Sequence, residues 1–420
     1  MIMKNERSRS GLPPAILLGG GVNTLSVSRS FGREGVKVLV LSSPPSDVQY
    51  SRYAQWIPMD AGVDVQTQWF EWLTTKKEQY RGSVVLACGD DALEFLAIHR
   101  KDLEDDYLLD PSNDRAVMAM LDKAQTHAIA KAANVPAPEM WVVNTLAEVE
   151  EIRDRIKYPC GLKPRVSHVF KQYFDRKLFV VQSSEELLRV FTEVSKFDME
   201  MLITEIIPGG EERFCSYYTY IDEHGEALFH FTKRKLRQYP TGFGFGTYHV
   251  TDWNPEVAEM GLRFCKGSGL RGLANVEFKR DPRDGLLKLI ECNHRFTESN
   301  QLVMASGLDL GLLVYNRLTN RPLPPLRDYK KGLYLVRPVQ DFLAFRSLKK
   351  KGELTWGGWI RSLMHRQRFV YFSWSDPLPF VYRSLIFIRR QIGKIRIVAS
   401  TKKVIDADAI PTKSMKERLV

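Results

Sequence analysis

Cysteine is scarce in this chain: Cys88, Cys160, Cys215, Cys265 and Cys292 are the five among 420 residues, far apart and without a C-x-x-C pair. An odd, scattered set argues against a disulfide framework and against a thiolate zinc site, and fits reduced thiols in a cytoplasm. Long apolar runs are missing too. Ala15–Leu18 is too short for the ~7–15-residue core of a signal peptide. No stretch reaches the ~20 uncharged apolar residues of a membrane span. The nearest, Leu385–Ile388, is bounded by Arg383, Arg389 and Arg390. The expectation is a cytoplasmic protein, at most peripheral to the inner face of a membrane. Acid is in deficit, with 50 Asp and Glu against 61 Lys and Arg and a net charge of +11. That balance favours anionic partners, whether nucleotide, carboxylate, nucleic acid or lipid, without choosing among them.

A dinucleotide fingerprint is also incomplete. Gly19-x-Gly21-x-x-Thr24 lacks the third glycine, and Ser42-Ser43-Pro44 stands where a ribose-binding acid would follow the second strand. A nicotinamide dehydrogenase is therefore disfavoured. What is present is ordinary globular material, 44% hydrophobic and 26% charged. At ~100–200 residues per domain it suffices for two or three. The first segment alternates strands and helices: Ala15–Leu18, a glycine turn, a helix closing near Gly35, Val36–Leu41, and Val84–Ala87 before Cys88-Gly89-Asp90-Asp91. This βαβ pattern predicts a parallel sheet. Asp110-Pro111-Ser112 marks a boundary. Beyond it, the pattern predicts one helix over Arg115–Ala133, strands at Trp141–Val143, within Tyr158–Pro164 ending on Lys163, at Phe179–Val181 and at Met201–Ile207, and a helix after Ser183. Antiparallel strands are expected at Phe214–Ile221 and Ala227–Lys235. The division reads as residues 1–113, 114–325 and a basic, aromatic region 326–420.

The chemistry concentrates between Leu273 and Asn300. Ala274–Phe278 reads as a strand, Asp281-Pro282-Arg283-Asp284-Gly285 as a turn, and Leu287–Glu291 as the returning strand, followed by Cys292-Asn293-His294-Arg295. A hairpin brings Glu277 beside Glu291, and Asn293, two residues on, shares the face of Glu291. Two carboxylates and an amide oxygen are hard ligands suited to Mg²⁺ on nucleotide phosphates, with Mn²⁺ as an alternative. Arg295 continues the same direction and is placed to neutralise a transferring phosphoryl group. Cys292, inside this run, reads as packing.

Glu277 followed by Glu291-Cys292-Asn293-His294-Arg295 resembles the metal signature of the ATP-grasp superfamily, an acid on a strand and then E-x-N-x-R. Other parts of that family follow in order over residues 15–320. Lys123 resembles its first nucleotide lysine, and Lys163, after Tyr158-Pro159, its second. Thr204, Glu205, Ile206 and Ile207 resemble the strand that meets adenine, and Glu212 stands at the ribose acid's position. The basic run Lys233–Pro240 with Thr241-Gly-Phe-Gly-Phe-Gly-Thr247, and the late Ser373–Pro379, look like the carboxylate–amine ligase branch that includes D-aspartate ligases. The resemblance implies a mixed α/β and α+β protein: a Rossmann-like pre-ATP-grasp domain, a two-subdomain ATP-grasp fold and a basic C-terminal extension. It implies ATP and Mg²⁺, an acyl phosphate, and attack by an amine, with Arg295 and Arg234 or Arg237 holding carboxylate or acyl phosphate. Small-molecule acids and amines are the implied partners, amino acids or cell-envelope precursors among them, and no nucleic acid.

One departure stands out. The glycine-rich loop usual after the second lysine is replaced by Arg165–Tyr173, in which Ser167, His168 and Lys171 are the groups available to cover phosphates. The glycines lie instead at 242, 244 and 246, where they permit close approach to a ligand. Rival readings are a phosphotransferase or carboxylase of the same superfamily, or a basic membrane or nucleic-acid binder; the last leaves the acidic hairpin without a purpose.

Overall fold

The structure, a computed structural model, describes residues 11–165, 178–197, 199–326, 328–387 and 389. Ser167, His168 and Lys171, and the basic chain beyond Arg389, lie outside the described residues.

The alternating N-terminal pattern folds as its periodicity predicts. Strands β1 (Ala15–Leu18), β2 (Val38–Ser42), β3 (Gln55–Pro58), β4 (Val84–Ala87) and β5 (Leu108–Leu109) form a parallel sheet in the order β3-β2-β1-β4-β5. All four residues of β1 are buried, as a central parallel strand covered on both faces requires. The turn after it needs glycine on steric grounds: a Cβ on Gly20 would lie 2.4 Å from Ser42 Oγ.

Beyond residue 113 the expected single helix is two, Asp114–Leu121 and Lys123–Ala132. Asp122 breaks it. Its backbone is extended and its carboxylate accepts the N–H groups of Ala124 and Gln125, so it caps the second helix instead of continuing the first. Lys123 thereby becomes the first residue of a helix. An antiparallel sheet follows in the order β6-β9-β7-β8, from β6 (Met140–Val143), β7 (Cys160–Pro164), β8 (Phe179–Val181) and β9 (Met201–Glu205). Helices Leu146–Ile152 and Ser184–Val194 cover one face. Thr145 with Glu148 forms a capping box on the first, and Ser183 caps the second.

The largest sheet has seven strands: β10 (Phe214–Ile221), β11 (Phe231–Tyr239), β12 (Phe245–Asp252), β13 (Gly272–Arg280), β14 (Leu287–Asn293), β15 (Tyr334–Val336) and β16 (Gln367–Phe369). Their order is β14-β13-β10-β11-β12-β15-β16. β11 begins four residues later than expected, because Ala227 only bridges Ile221 across the turn. Helix Pro255–Ser268 packs on one face of this sheet, burying Val257, Phe264 and Cys265 with Val276 and Phe278. The region set apart in the sequence as 326–420 contributes β15 and β16 to it. A single apolar cluster runs from β1 and helix Val22–Arg33 through Tyr218, Tyr220 and Phe231 to helix Leu310–Leu318. The N-terminal sheet is therefore packed against one end of the large sheet. All five cysteines are buried and free. Among the described residues no helix is long and apolar enough to cross a membrane.

Candidate active site

The cavity floor follows from the ladder registers. Directly opposed residues in antiparallel strands share a face. Lys233, Ser216, Glu277 and Glu291 are consecutive partners across β11, β10, β13 and β14, and form one row. Tyr218, Asn275 and Asn293 form the next, one pleat further along. Phe214 opposes Lys279, and Lys235 opposes His249, on the other side of the first row. Helix Pro255–Ser268 covers the opposite face, so these rows line a cavity of about 760 Å³. Its roof is the four-stranded sheet, through Lys163 and Thr204–Ile207, and Asn23 and Asp90 of the N-terminal layer close one end.

The metal triad of the sequence thus comes together. Glu277 and Glu291 are direct partners, and Asn293 Nδ2 donates to Glu291 Oε1 at 3.1 Å. Lys235 Nζ donates to Glu277 Oε1 at 2.9 Å. Asn275 Oδ1 is buried in the same wall without a hydrogen-bond partner. Among the described residues no group of three or more His, Cys, Asp or Glu converges on a metal position. The donor set is instead two carboxylates with amide oxygens. That set fits Mg²⁺, which takes a few protein oxygens and completes its octahedron with phosphate oxygens and water.

Lys123 Nζ reaches the carbonyls of Arg165 and Pro164 at 3.3 and 3.5 Å, and Lys163 lines the cavity beside it. Burial, then the neighbouring Lys123 ammonium, push the Lys163 amine down to about 8. β9 ends at Glu205, so Ile206 and Ile207 leave the ladder at the cavity wall. Arg283 grips Glu205 at 2.6 Å, and Lys279 Nζ donates to the carbonyls of Ile207 and Gly209 at 2.7 and 2.8 Å. These contacts fix the course of the segment. Arg295 lines the cavity and is held by Asp90 at 2.5 Å, across the junction with the N-terminal layer.

Three expectations need correction. Arg234 faces away from the cavity, pairing with Asp252 at 2.6 Å. Arg237 is buried elsewhere, its guanidinium on both oxygens of Asp341 at 2.8 and 2.9 Å and over the Tyr248 ring. The cause is a β-bulge in β11. Register shifts on both sides of Arg237 turn it out of the alternation that carries Lys233 and Lys235 inward, and Gln238 faces the cavity instead. Glu212 lies outside the cavity, on the short turn Glu211–Arg213, with 61% of its side chain exposed. Its neighbour Glu211 turns inward and accepts the N–H of Gly242 at 2.9 Å. That bond anchors the glycine run, whose residues 242–246 line the cavity. At Gly246 a Cβ would meet His249 Nε2 at 2.1 Å.

Lys233, Lys235, His249, Asn275, Lys279 and Glu298 were not singled out by sequence. For the two β11 lysines a strict period of two from Glu277 outward gives the signal. For Glu298, in an irregular stretch after β14, no local signal exists.

No family model matches the chain. It is 26% identical over 354 residues, 79% of its length, to a D-aspartate ligase of Enterococcus faecium (strain Aus0004), covering 84% of that protein. An L-amino acid ligase from Bacillus licheniformis superposes with a TM-score of 0.55 at 17% identity, over 73% of this chain and 74% of that one. The biotin carboxylase domain of Hydrogenobacter thermophilus 2-oxoglutarate carboxylase, solved with MgADP and bicarbonate, gives 0.60 at 17% identity, over 76% and 73%. These likenesses show that the chain has the ATP-grasp fold, and its sequence is similar to that of a D-aspartate ligase over most of both chains.

Proposed function

We propose that this protein is a Mg²⁺-dependent ATP-grasp ligase that activates the carboxylate of an amino acid at the expense of ATP and joins it to an amine, with the cavity residues in the following roles. Glu277, Glu291 and Asn293 hold Mg²⁺, with Asn275 Oδ1 facing the same volume. Bound there, the ion would neutralise charge on the nucleotide phosphates. Lys123 and Lys163 offset the phosphate chain from the roof, and Thr204–Ile207 meet the adenine along their backbone. A substrate carboxylate oxygen attacks the γ-phosphorus and ADP departs, leaving an acyl phosphate. The amine nitrogen then attacks the acyl carbon, loses a proton, and phosphate departs. Arg295 is positioned to balance charge on the transferring group, fixed in place by Asp90. The glycine run at 242–246 covers the site. The chain performs no covalent step itself; positioning and prearranged charge supply the rate.

The single observation behind these roles is the row that opposes Glu277 and Glu291 in a cavity with Lys163. It is tested by Glu291→Ala, assayed for MgATP-dependent ADP release with D-aspartate, the acid named in the Enterococcus relative, and hydroxylamine as the trapping amine. Loss of release in a folded variant supports the assignment, and wild-type turnover removes it.

The N-terminal residues to about 113 serve as one wall of the acid site in this reading. We further place lipid contact, if the protein has any, on the C-terminal stretch. There Trp374 and Leu378 are 90% and 57% exposed, with Arg389 in the helix that follows. Flotation with phosphatidylglycerol vesicles but not with neutral ones is the expected result. Equal recovery from both counts against it.

A further inference from the structure

We infer that the hairpin of helices Pro338–Lys350 and Trp356–Leu363 is a docking surface for an anionic lipid bilayer. The inference extends the lipid contact placed above on the C-terminal stretch by naming a preformed surface for it, and it does not depend on the ligase reading.

The surface begins with a helix that the core does not absorb. None of the eight residues of helix Trp356–Leu363 is buried. Trp359 ties its inner side down: the ring stacks on Phe345 at 4.9 Å, and Nε1 donates to Asp341 Oδ2 at 2.9 Å. Trp356, Ile360 and Met364 stand four residues apart and fall on one outer stripe. They are 47%, 53% and 79% exposed. On the neighbouring helix Val339 and Phe342, three apart, are 39% and 37% exposed, and the Phe342 ring lies 6.3 Å from that of Trp356. These five side chains form one continuous apolar patch. Single exposed apolar residues are ordinary, whereas a patch of this kind marks a contact surface.

The rim of the patch supplies the charge. Between Phe342 and Phe372 the chain carries three lysines and four arginines against one acid, Glu353. Arg346, Lys349, Lys350, Lys351, Arg361 and Arg366 are all exposed, and Lys349 Nζ lies 5.5 Å from the centre of the Trp356 ring. Aromatic and aliphatic side chains on one helix face, bordered by bases, are the composition of a helix that lies in the interface of an anionic membrane. A second copy of the chain would bring the same positive excess to the contact, so like charge opposes self-association there. The hairpin is also bonded to the cover of the cavity. Ser347 Oγ lies 3.1 Å from Thr241 Oγ1, and Asp341 Oδ1 accepts from Thr247 Oγ1 at 3.0 Å, one at each end of the glycine run. A bilayer that holds the hairpin therefore holds the element from which that run is suspended.

Partition of the full chain onto phosphatidylglycerol vesicles, read by flotation over a range of lipid concentrations, tests the surface. Four proteins are compared: wild type, Ile360→Ser/Met364→Ser, Lys349→Gln/Lys350→Gln/Lys351→Gln, and Trp374→Ser/Leu378→Ser. Melting is followed for each, and the first pair leaves Trp356 and its packing in place. Wild type should bind these vesicles and not phosphatidylcholine ones. The Ile360 and Met364 pair should lower the partition coefficient by about 10-fold or more, since interfacial binding scales with buried apolar area. The lysine triple should lower it by about 10²-fold, at about fivefold for each base near an anionic surface. Trp374→Ser/Leu378→Ser, in the same region but off the hairpin, should lower it less than either. Failure of wild type to float with phosphatidylglycerol overturns the inference and leaves the ligase reading untouched. So does wild-type partition in both hairpin variants with loss in Trp374→Ser/Leu378→Ser, which would move the contact off the hairpin. A wild-type dimer in sedimentation that Ile360→Ser/Met364→Ser dissociates would assign the patch to a second copy, and overturns it as well.

Discussion

The two sides of the seven-stranded sheet use the same charged residues to opposite ends. On the β10–β14 side, charged and polar groups face a cavity: Asn275 Oδ1 has no partner, and Lys233 lies beside the His249 imidazole and the Tyr218 ring. On the β12–β15–β16 side, charges are matched inside the protein. Asp341 is fully buried and accepts from Arg237, Thr247 and Trp359, and Asp376 accepts from Arg29, Ser51 and the Arg52 N–H. Matched charge fixes structure, and unmatched charge awaits a ligand. β11 makes the contrast within one strand, sending Lys233 and Lys235 to the first use and Arg237 to the second.

The largest effect expected of this division is on chemistry. Glu291→Ala should lower kcat by about 10²–10³-fold, the scale of losing one charge-stabilising group, while melting stays near wild type. A large loss of stability with little loss of turnover would erase the distinction. Asp341→Ala should do the reverse. Leaving Arg237 buried without its carboxylate should cost about 3–5 kcal/mol in denaturant unfolding, with kcat of the remaining folded enzyme near wild type.

A pH profile sharpens the comparison further. Burial pushes the Lys233 ammonium down to about 8; Glu277 and Glu298 act upward on it, and Lys235 acts downward. Its other neighbours are His249, held well below its ordinary value by burial and by the same two lysines, and Tyr218, held above its own by burial. The ammonium form is the one that attracts an anion in the cavity, so KM for an anionic substrate should rise as pH passes above about 8. In Lys233→Met that rise should vanish, and its persistence would assign it to another group. The smallest effect belongs to Arg234→Ala, whose half-exposed pair with Asp252 should contribute less than about 1 kcal/mol and nothing to turnover.

Much of this was legible in the sequence because it depends on local periodicity. The hairpin acids and Asn293 sit on paired strands either side of a readable turn, so spacing located them despite a register shift beside Glu277, and Lys163 was found by its resemblance to the family's second lysine. Arg237 was misplaced because a bulge is a backbone event that leaves β11's composition unchanged, and Arg234 because the alternation that turns Lys233 and Lys235 inward turns it out. Glu212 was misplaced because a three-residue turn decides which of two adjacent acids points inward. The strands β15 and β16, three residues each, carry no periodic signal; distant partners stabilise them. The break at Asp122 was readable in principle, since an aspartate followed by Lys-Ala-Gln is a helix start, but the apolar pattern ran through it.

The ties from Arg29 to Asp376 and from Arg237 to Asp341 set a lower limit on the length of chain that can fold. A version ending after the last ATP-grasp motif would keep every group that touches nucleotide, yet would leave two guanidinium groups stranded in the interior. The segment from Asp341 to Asp376 therefore belongs to the same cooperative unit as helix Val22–Arg33 and β11, and selection on either should be felt in the other.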